Sequence, residues 1–268
     1  VSEACERAAN RRPLMFESAE LDVDYPKKDY EKDLEYLRVK LFQLQREVRR
    51  ANLPVIILID GIPGAGRGAV INLLNEWMDA RYLRNETFWM ASSDQRERPT
   101  YWKYWMALPP RGSIGIFFGG WYEKPVAEVI GGRMKDAKFE QAMNEVNRFE
   151  QMLTTDGALL IKFWLHLSKD KYKEVMKKRG GKGDPLAQES DASYHDIRKG
   201  YARAIRLTDT VESRWYLINS QKSRYRNIMI LKTLIENIER ALENKGKPTV
   251  NAQPVVAAQQ AQILDSVD

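Results

Sequence analysis

Asp60-Gly61-Ile62-Pro63-Gly64-Ala65-Gly66-Arg67-Gly68 is the stretch on which the fold turns. It follows the apolar run Val55-Ile56-Ile57-Leu58-Ile59, which has the length and branching of a buried strand. It precedes Ala69-Val70-Ile71-Asn72-Leu73-Leu74-Asn75-Glu76-Trp77, whose apolar positions recur at helical spacing. Strand, glycine loop and helix in that order place backbone N–H groups and a helix N-terminus where a phosphate can sit. In the usual pattern G-x-x-x-x-G-K-[ST], a lysine holds the β- and γ-phosphates and a hydroxyl holds Mg²⁺. Here Arg67 and Gly68 occupy those two positions. Gly61, Gly64, Gly66, Arg67 and Gly68 are therefore phosphate-binding candidates, with the transfer chemistry in question.

The chain has 268 residues, enough for one large domain with appendages. Its 43% hydrophobic and 30% charged residues are those of a globular protein. No apolar run approaches the roughly 20 residues that span a bilayer, and residues 1–14 carry no secretory apolar segment. These features predict a cytoplasmic protein with no membrane partner. A lone Cys5 excludes an internal disulfide, and two histidines, His166 and His195, argue against a histidine metal centre. A net charge of +6 favours a polyanionic partner weakly, because the basic residues are interleaved with 37 acidic ones. Without a nucleic-acid-binding signature, nucleic acid is not the expected polyanion.

Residues 1–26 show little periodicity and read as an N-terminal arm. From Lys27 to Arg50, Leu34, Leu37, Leu41, Leu44 and Val48 recur at spacings of 3, 4, 3 and 4. This is one stripe of a long helix, suited to internal packing or to dimerisation. Further strands are predicted at Phe88–Ala91, Ser113–Phe118, Ala158–Trp164 and Trp215–Ile218. Helices are predicted at Phe139–Leu153, Lys169–Lys178, Tyr194–Thr208 and Arg224–Leu242. Alternation of strand and helix implies an α/β fold, a five-stranded parallel sheet covered on both faces. With the glycine loop after the first strand it is a P-loop kinase-like three-layer sandwich, spanning residues 27–244. The glycine-rich basic run starting at Arg179 opens a possible helical lid over about 179–210. Beyond Lys245 the composition turns to Pro, Gln, Ala and Val, a flexible linker or tail over 245–268.

Several ordered motifs carry a family resemblance. They are the glycine loop; Arg98-Pro99-x-x-Trp102-x-x-Trp105-x-x-Leu108-Pro109-x-Arg111-Gly112-x-Ile114-x-Ile116-Phe117; Trp121-Tyr122; and Lys162-Phe163-Trp164-Leu165-His166-Leu167-Ser168-Lys169. Together they resemble polyphosphate kinase family 2 over about Met15 to Leu242. The resemblance implies a P-loop fold with a helical lid that moves phosphoryl groups between inorganic polyphosphate and nucleotides with Mg²⁺. Arg98, Arg111 and Lys162 join the phosphate-binding candidates. The run Asn72–Asp79 looks most like the N-terminal half of a fused two-half polyphosphate:AMP phosphotransferase.

The resemblance also marks replacements. The family loop is G-x-D-x-x-G-K-G, with the Asp organising Mg²⁺; here that Asp is Pro63 and the Lys is Arg67. The family's Asp-Arg-Ser-Trp-Tyr is Phe118-Gly119-Gly120-Trp121-Tyr122. Two further arginine positions are Val129 and Val175. Pro63, Gly68 and Phe118 have no oxygen to offer Mg²⁺, leaving Asp60, Asp94 and Glu128 as weak substitutes. Three readings follow: a degenerate half that supports an active partner half and binds polyphosphate; an active Mg²⁺-dependent phosphotransferase with a rearranged metal site; and a structural dimerisation module. Mg²⁺ is expected only if the chain is active. The partners expected are polyphosphate, a nucleotide, and a second half or copy.

Overall fold

The computed structural model describes residues 16–88, 97–178 and 193–245. Its core is a five-stranded, all-parallel sheet: β1 (Val55–Gly61), β2 (Leu83–Thr87), β3 (Ile114–Phe118), β4 (Leu159–His166) and β5 (Trp215–Asn219). The spatial order is β2-β3-β1-β4-β5. Among the described residues eight α-helices accompany it: α1 (Lys27–Arg50), α2 (Arg67–Trp77), α3 (Trp102–Ala107), α4 (Glu123–Ile130), α5 (Asp136–Thr155), α6 (Lys169–Lys178), α7 (Tyr194–Thr208) and α8 (Ser223–Lys245). Helices α1 and α8 pack against each other on the β4–β5 side, and α4, α5 and α7 form the opposite layer.

Every residue of β1 is buried, as a central strand covered on both faces requires. It pairs with β3 through Val55 opposite Ile114 and with β4 through Val55 opposite Leu159. The chain leaves β1 between two strands that lead to opposite halves of the sheet, the crevice where open α/β sheets take ligands. Gly61 permits this exit, because a Cβ there would lie 2.4 Å from the Leu165 carbonyl oxygen on β4.

The second strand is Leu83–Thr87, and of the expected Phe88–Ala91 only Phe88 lies within the described residues. It is an edge strand exposed at Arg84, Asn85 and Thr87, and the polar run Arg84-Asn85-Glu86 hides its period. Leu37, Leu41, Leu44 and Val48 of the α1 stripe are buried within the chain, and α8 is the neighbour of α1. The stripe is thus internal packing.

Residues 16–26 cross the carboxyl ends of β4 and β5. Phe16 stacks on His166 at 4.5 Å, Asn219 donates to the Leu21 carbonyl, and Gln221 donates to the Glu20 carbonyl. In the expected lid region, residues 179–192 lie outside the described residues. The rest is α7, which begins with a Ser193–Asp196 capping box and buries Tyr194, Ile197, Tyr201, Ala204 and Ile205.

Candidate functional site

The glycine loop connects β1 to α2 at the carboxyl edge of the sheet. Gly64 and Gly66 take left-handed conformations, at φ 86° and 92°, and Gly66 caps α2. The loop therefore retains the turn geometry that aims a helix N-terminus at an anion. Its surroundings are less receptive. Helix α6 lays Val175 over Gly64, where a Cβ would approach Val175 Cγ1 at 2.9 Å. Val175 is one of the two positions at which the resemblance leads one to expect an arginine, and it presents a methyl group to the loop.

Arg67 lies at the lysine position, one residue into α2, yet its side chain is only 4% exposed. The guanidinium turns inward, with Nη1 3.3 Å from Asp60 Oδ1 and 3.8 Å from Glu123 Oε1. It also lies over the Phe118 ring, 4.7 Å from the centroid. Asp60 additionally accepts the Gly61 N–H at 2.8 Å, binding the carboxylate to the turn it follows. Burial, and then the charges of Asp60 and Glu123, hold the hydroxyl of Tyr201 on α7 well above the usual phenol range.

Glu123 was not among the residues singled out from sequence, and its place explains Gly119. Gly119 has φ 69°, and a Cβ there would come within 2.1 Å of Glu123 Oε1. The glycine at this family arginine position makes room for the inward carboxylate that holds Arg67. Arg226 on α8 was also missed. Its buried guanidinium passes above Gly66 and donates to the Ala65 carbonyl at 3.1 Å. No ion pair joins Arg226 to a carboxylate among the described residues, so it is a cation against the loop backbone. Gly66→Ala is expected to cost about 1–3 kcal/mol, through left-handed strain and displacement of Arg226. Thermal denaturation should show part of this loss vanishing in an Arg226→Ala background. Strictly additive effects would contradict the crossing.

Two expected phosphate ligands are elsewhere. Arg111 lies before β3, at the amino edge of the sheet, and pairs with exposed Asp156 at 3.1 Å. Parallel strands separate it from the loop by a full strand length. Lys162 is fully buried in the middle of β4, opposite Leu58. Its ammonium donates to Glu150 at 2.7 Å, the Thr208 carbonyl at 2.8 Å and the Tyr122 hydroxyl at 3.1 Å. Burial lowers its pKa, with Glu150 opposing. Both assignments are corrected: one residue is at the wrong end of the sheet, the other holds the core together. Arg98 lies over Trp102 at 4.8 Å and shares a groove of about 460 Å³ with Glu128, Lys103 and Lys124, to which residues 61–68 contribute no wall. Asp94 lies outside the described residues.

The donor set suits Mg²⁺ poorly. The ion takes oxygen ligands, usually one or two carboxylates with phosphates. Pro63 is buried in the loop, Gly68 is bare, and Phe118 presents a ring. The carboxylates at the loop, Asp60 and Glu123, both engage Arg67. Glu128 belongs to the separate groove. Among the described residues, no three His, Cys, Asp or Glu side chains converge as a metal site.

The fold agrees with comparisons to known proteins. The family described as Polyphosphate kinase 2 (PPK2) matches residues 24–246. The chain belongs to the polyphosphate kinase 2 family. A polyphosphate:AMP phosphotransferase of Pseudomonas aeruginosa is 39% identical over 264 residues, covering 95% of this chain and 53% of that protein. A crystal structure of a polyphosphate kinase 2 from Pseudomonas aeruginosa PA01 matches with TM-score 0.78 and 38% identity, over 95% of this chain and 50% of that one. A polyphosphate kinase 2 from Arthrobacter aurescens TC1 matches with TM-score 0.75 at 22% identity, over 96% and 94% of the two chains, and shares the fold. The chain spans about half the length of the polyphosphate:AMP phosphotransferases it matches. No helix among the described residues is long and apolar enough to cross a membrane.

Proposed function

We propose that this chain is a polyphosphate kinase 2 domain whose own site does not transfer phosphoryl groups, and that it supports an active domain of the same family while its loop holds polyphosphate. The single observation that carries the reading is the inward pairing of Arg67 with Asp60 and Glu123. Phosphoryl transfer rests on positioning and on neutralising charge over the transferred group. A guanidinium enclosed by two carboxylates supplies little of that charge. Pro63, Phe118 and Gly119 remove the metal-binding and phosphate-binding groups the family uses, and Val129 and Val175 remove two more cations. Mg²⁺ has no role on this chain in this reading.

Holding phosphate makes smaller demands. The turn at Gly64 and Gly66, the first turn of α2 and the guanidinium of Arg226 remain. A relative named for polyphosphate and AMP, about twice as long, supports polyphosphate as the anion and a second domain as the partner.

Glu123→Gln tests the pairing. Removing one carboxylate charge should let Arg67 turn toward a bound anion and tighten polyphosphate binding roughly three- to tenfold, or up to about 1.4 kcal/mol. Titration calorimetry should show the gain abolished in the Glu123→Gln/Arg67→Ala double variant. An affinity for Glu123→Gln equal to that of the unaltered chain would refute the sequestration of Arg67.

A further inference from the structure

We infer that a cavity of about 470 Å³ at the amino edge of the sheet is a second binding site for linear phosphate chains, apart from the glycine loop. Four guanidiniums line it against one carboxylate: Arg46, Arg49 and Arg50 from the end of α1, and Arg81 from the 3₁₀ turn Ala80–Tyr82, with Asp79 beside them. The walls are fixed by buried Gln45. Its amide donates to the Asp79 carbonyl at 3.0 Å and accepts the Asp79 N–H at 2.7 Å, joining α1 to the turn.

Two of the cations, Arg49 and Arg81, are held by groups that line the cavity. Arg49 donates to the Tyr82 hydroxyl and lies 3.9 Å from the centre of that ring, and Arg81 lies 5.7 Å from the same ring. Asp79 grips Arg81 through both oxygens, at 3.0 and 2.7 Å, and is itself held near pKa 2 chiefly by hydrogen bonds from Arg81. Arg50 pairs with Glu47, whereas Arg46 and Arg49 have no carboxylate ion pair among the described residues. Helix polarity accounts for basic residues in the last turn of α1, but it does not account for Arg81 on another element. Guanidinium forks match phosphate oxygens in geometry and charge. Tyr82 is already covered by guanidiniums and is not an open platform for a base, which favours a phosphate chain over single-stranded nucleic acid.

The cavity lies where the chain enters β1 and β2, whereas the loop lies where it leaves β1. Seven strand residues separate the two ends, on the order of 20 Å. A short phosphate chain therefore occupies one end at a time. The choice of phosphate as ligand rests on the functional reading above. Turnover by this chain would overturn that reading and leave the test of the cavity unaffected.

The test uses the whole chain and tripolyphosphate at about 0.1 M salt, followed by calorimetry and by the side-chain Nε–H resonances of its arginines. Arg46→Ala/Arg49→Ala should weaken binding about tenfold or more, while Arg206→Ala, at an exposed arginine of α7, retains it. Arg46→Lys/Arg49→Lys should keep part of the affinity, and its unchanged melting temperature would exclude misfolding. Tripolyphosphate should shift the Arg46, Arg49 and Arg81 resonances. ATP weakened by the same double alanine variant would identify its phosphate tail as the recognised group. An unaltered affinity in that variant, unmoved arginine resonances at high ligand, or equal preference for an oligonucleotide would overturn the assignment.

Discussion

Lys162→Ala is expected to lower the stability of the chain by about 3–5 kcal/mol, and its melting temperature by roughly 10 °C. The substitution leaves Glu150 buried with its carboxylate charge and without its cation. Glu150 would still accept from the Trp121 indole at 2.9 Å, the Tyr122 hydroxyl and the Ser213 hydroxyl at 2.9 Å. Those neutral donors do not replace the ammonium, so the loss remains large. Removing both charges in Lys162→Met/Glu150→Gln should restore more than half of the stability, because glutamine still accepts from Trp121 and Tyr122. Polyphosphate affinity should stay the same in the double variant, since the cluster lies within the sheet and not at the loop. Chemical denaturation of the two variants checks the pair. A stable Lys162→Ala protein would contradict the buried network.

The second large effect is a gain of activity. Pro63→Asp, Arg67→Lys and Phe118→Asp together should produce Mg²⁺-dependent phosphoryl transfer from polyphosphate to AMP. The lysine removes the planar fork that Asp60 and Glu123 hold, and the two new carboxylates supply oxygen for the ion. The rate should remain far below that of kinases, which turn over at about 1–100 s⁻¹. Transition-state arginines contribute about 10³- to 10⁵-fold in related chemistry, and Val129 and Val175 still stand at two arginine positions. Adding Val175→Arg should raise the rate further, because that side chain already touches the loop at Gly64. A quenched-flow assay of ADP formation measures both steps. If the restored chain matches the starting chain, replacements beyond these positions also silence the site.

The glycine loop and its flanking elements were legible because their signals are local. Val55–Ile59 is an uninterrupted apolar run, and α1, α6 and α7 have the same limits in sequence and structure. The edge strand Leu83–Thr87 was not legible, since a half-exposed strand tolerates Arg84, Asn85 and Glu86. The site divided along the same line. Replacements at Pro63, Arg67 and Phe118 could be read against the family motifs, but the direction of the Arg67 side chain could not. Glu123 is one carboxylate among 37, marked only by following Trp121-Tyr122. Arg226 reaches Ala65 across 161 residues of sequence, a contact with no local signature. Lys162 and Arg111 misled for the same reason. Their charge suggested phosphate, while their partners, Glu150 and Asp156, are set by tertiary packing.

The most direct test of the account is phosphoryl transfer by the unaltered chain, measured as ADP formed from AMP with polyphosphate and Mg²⁺ in excess. With Arg67 enclosed by Asp60 and Glu123, the expected rate equals that of a reaction without protein. Turnover at about 1 s⁻¹ or faster, lost in an Asp60→Asn or Glu123→Gln variant, would contradict it and make those carboxylates working parts of an active site.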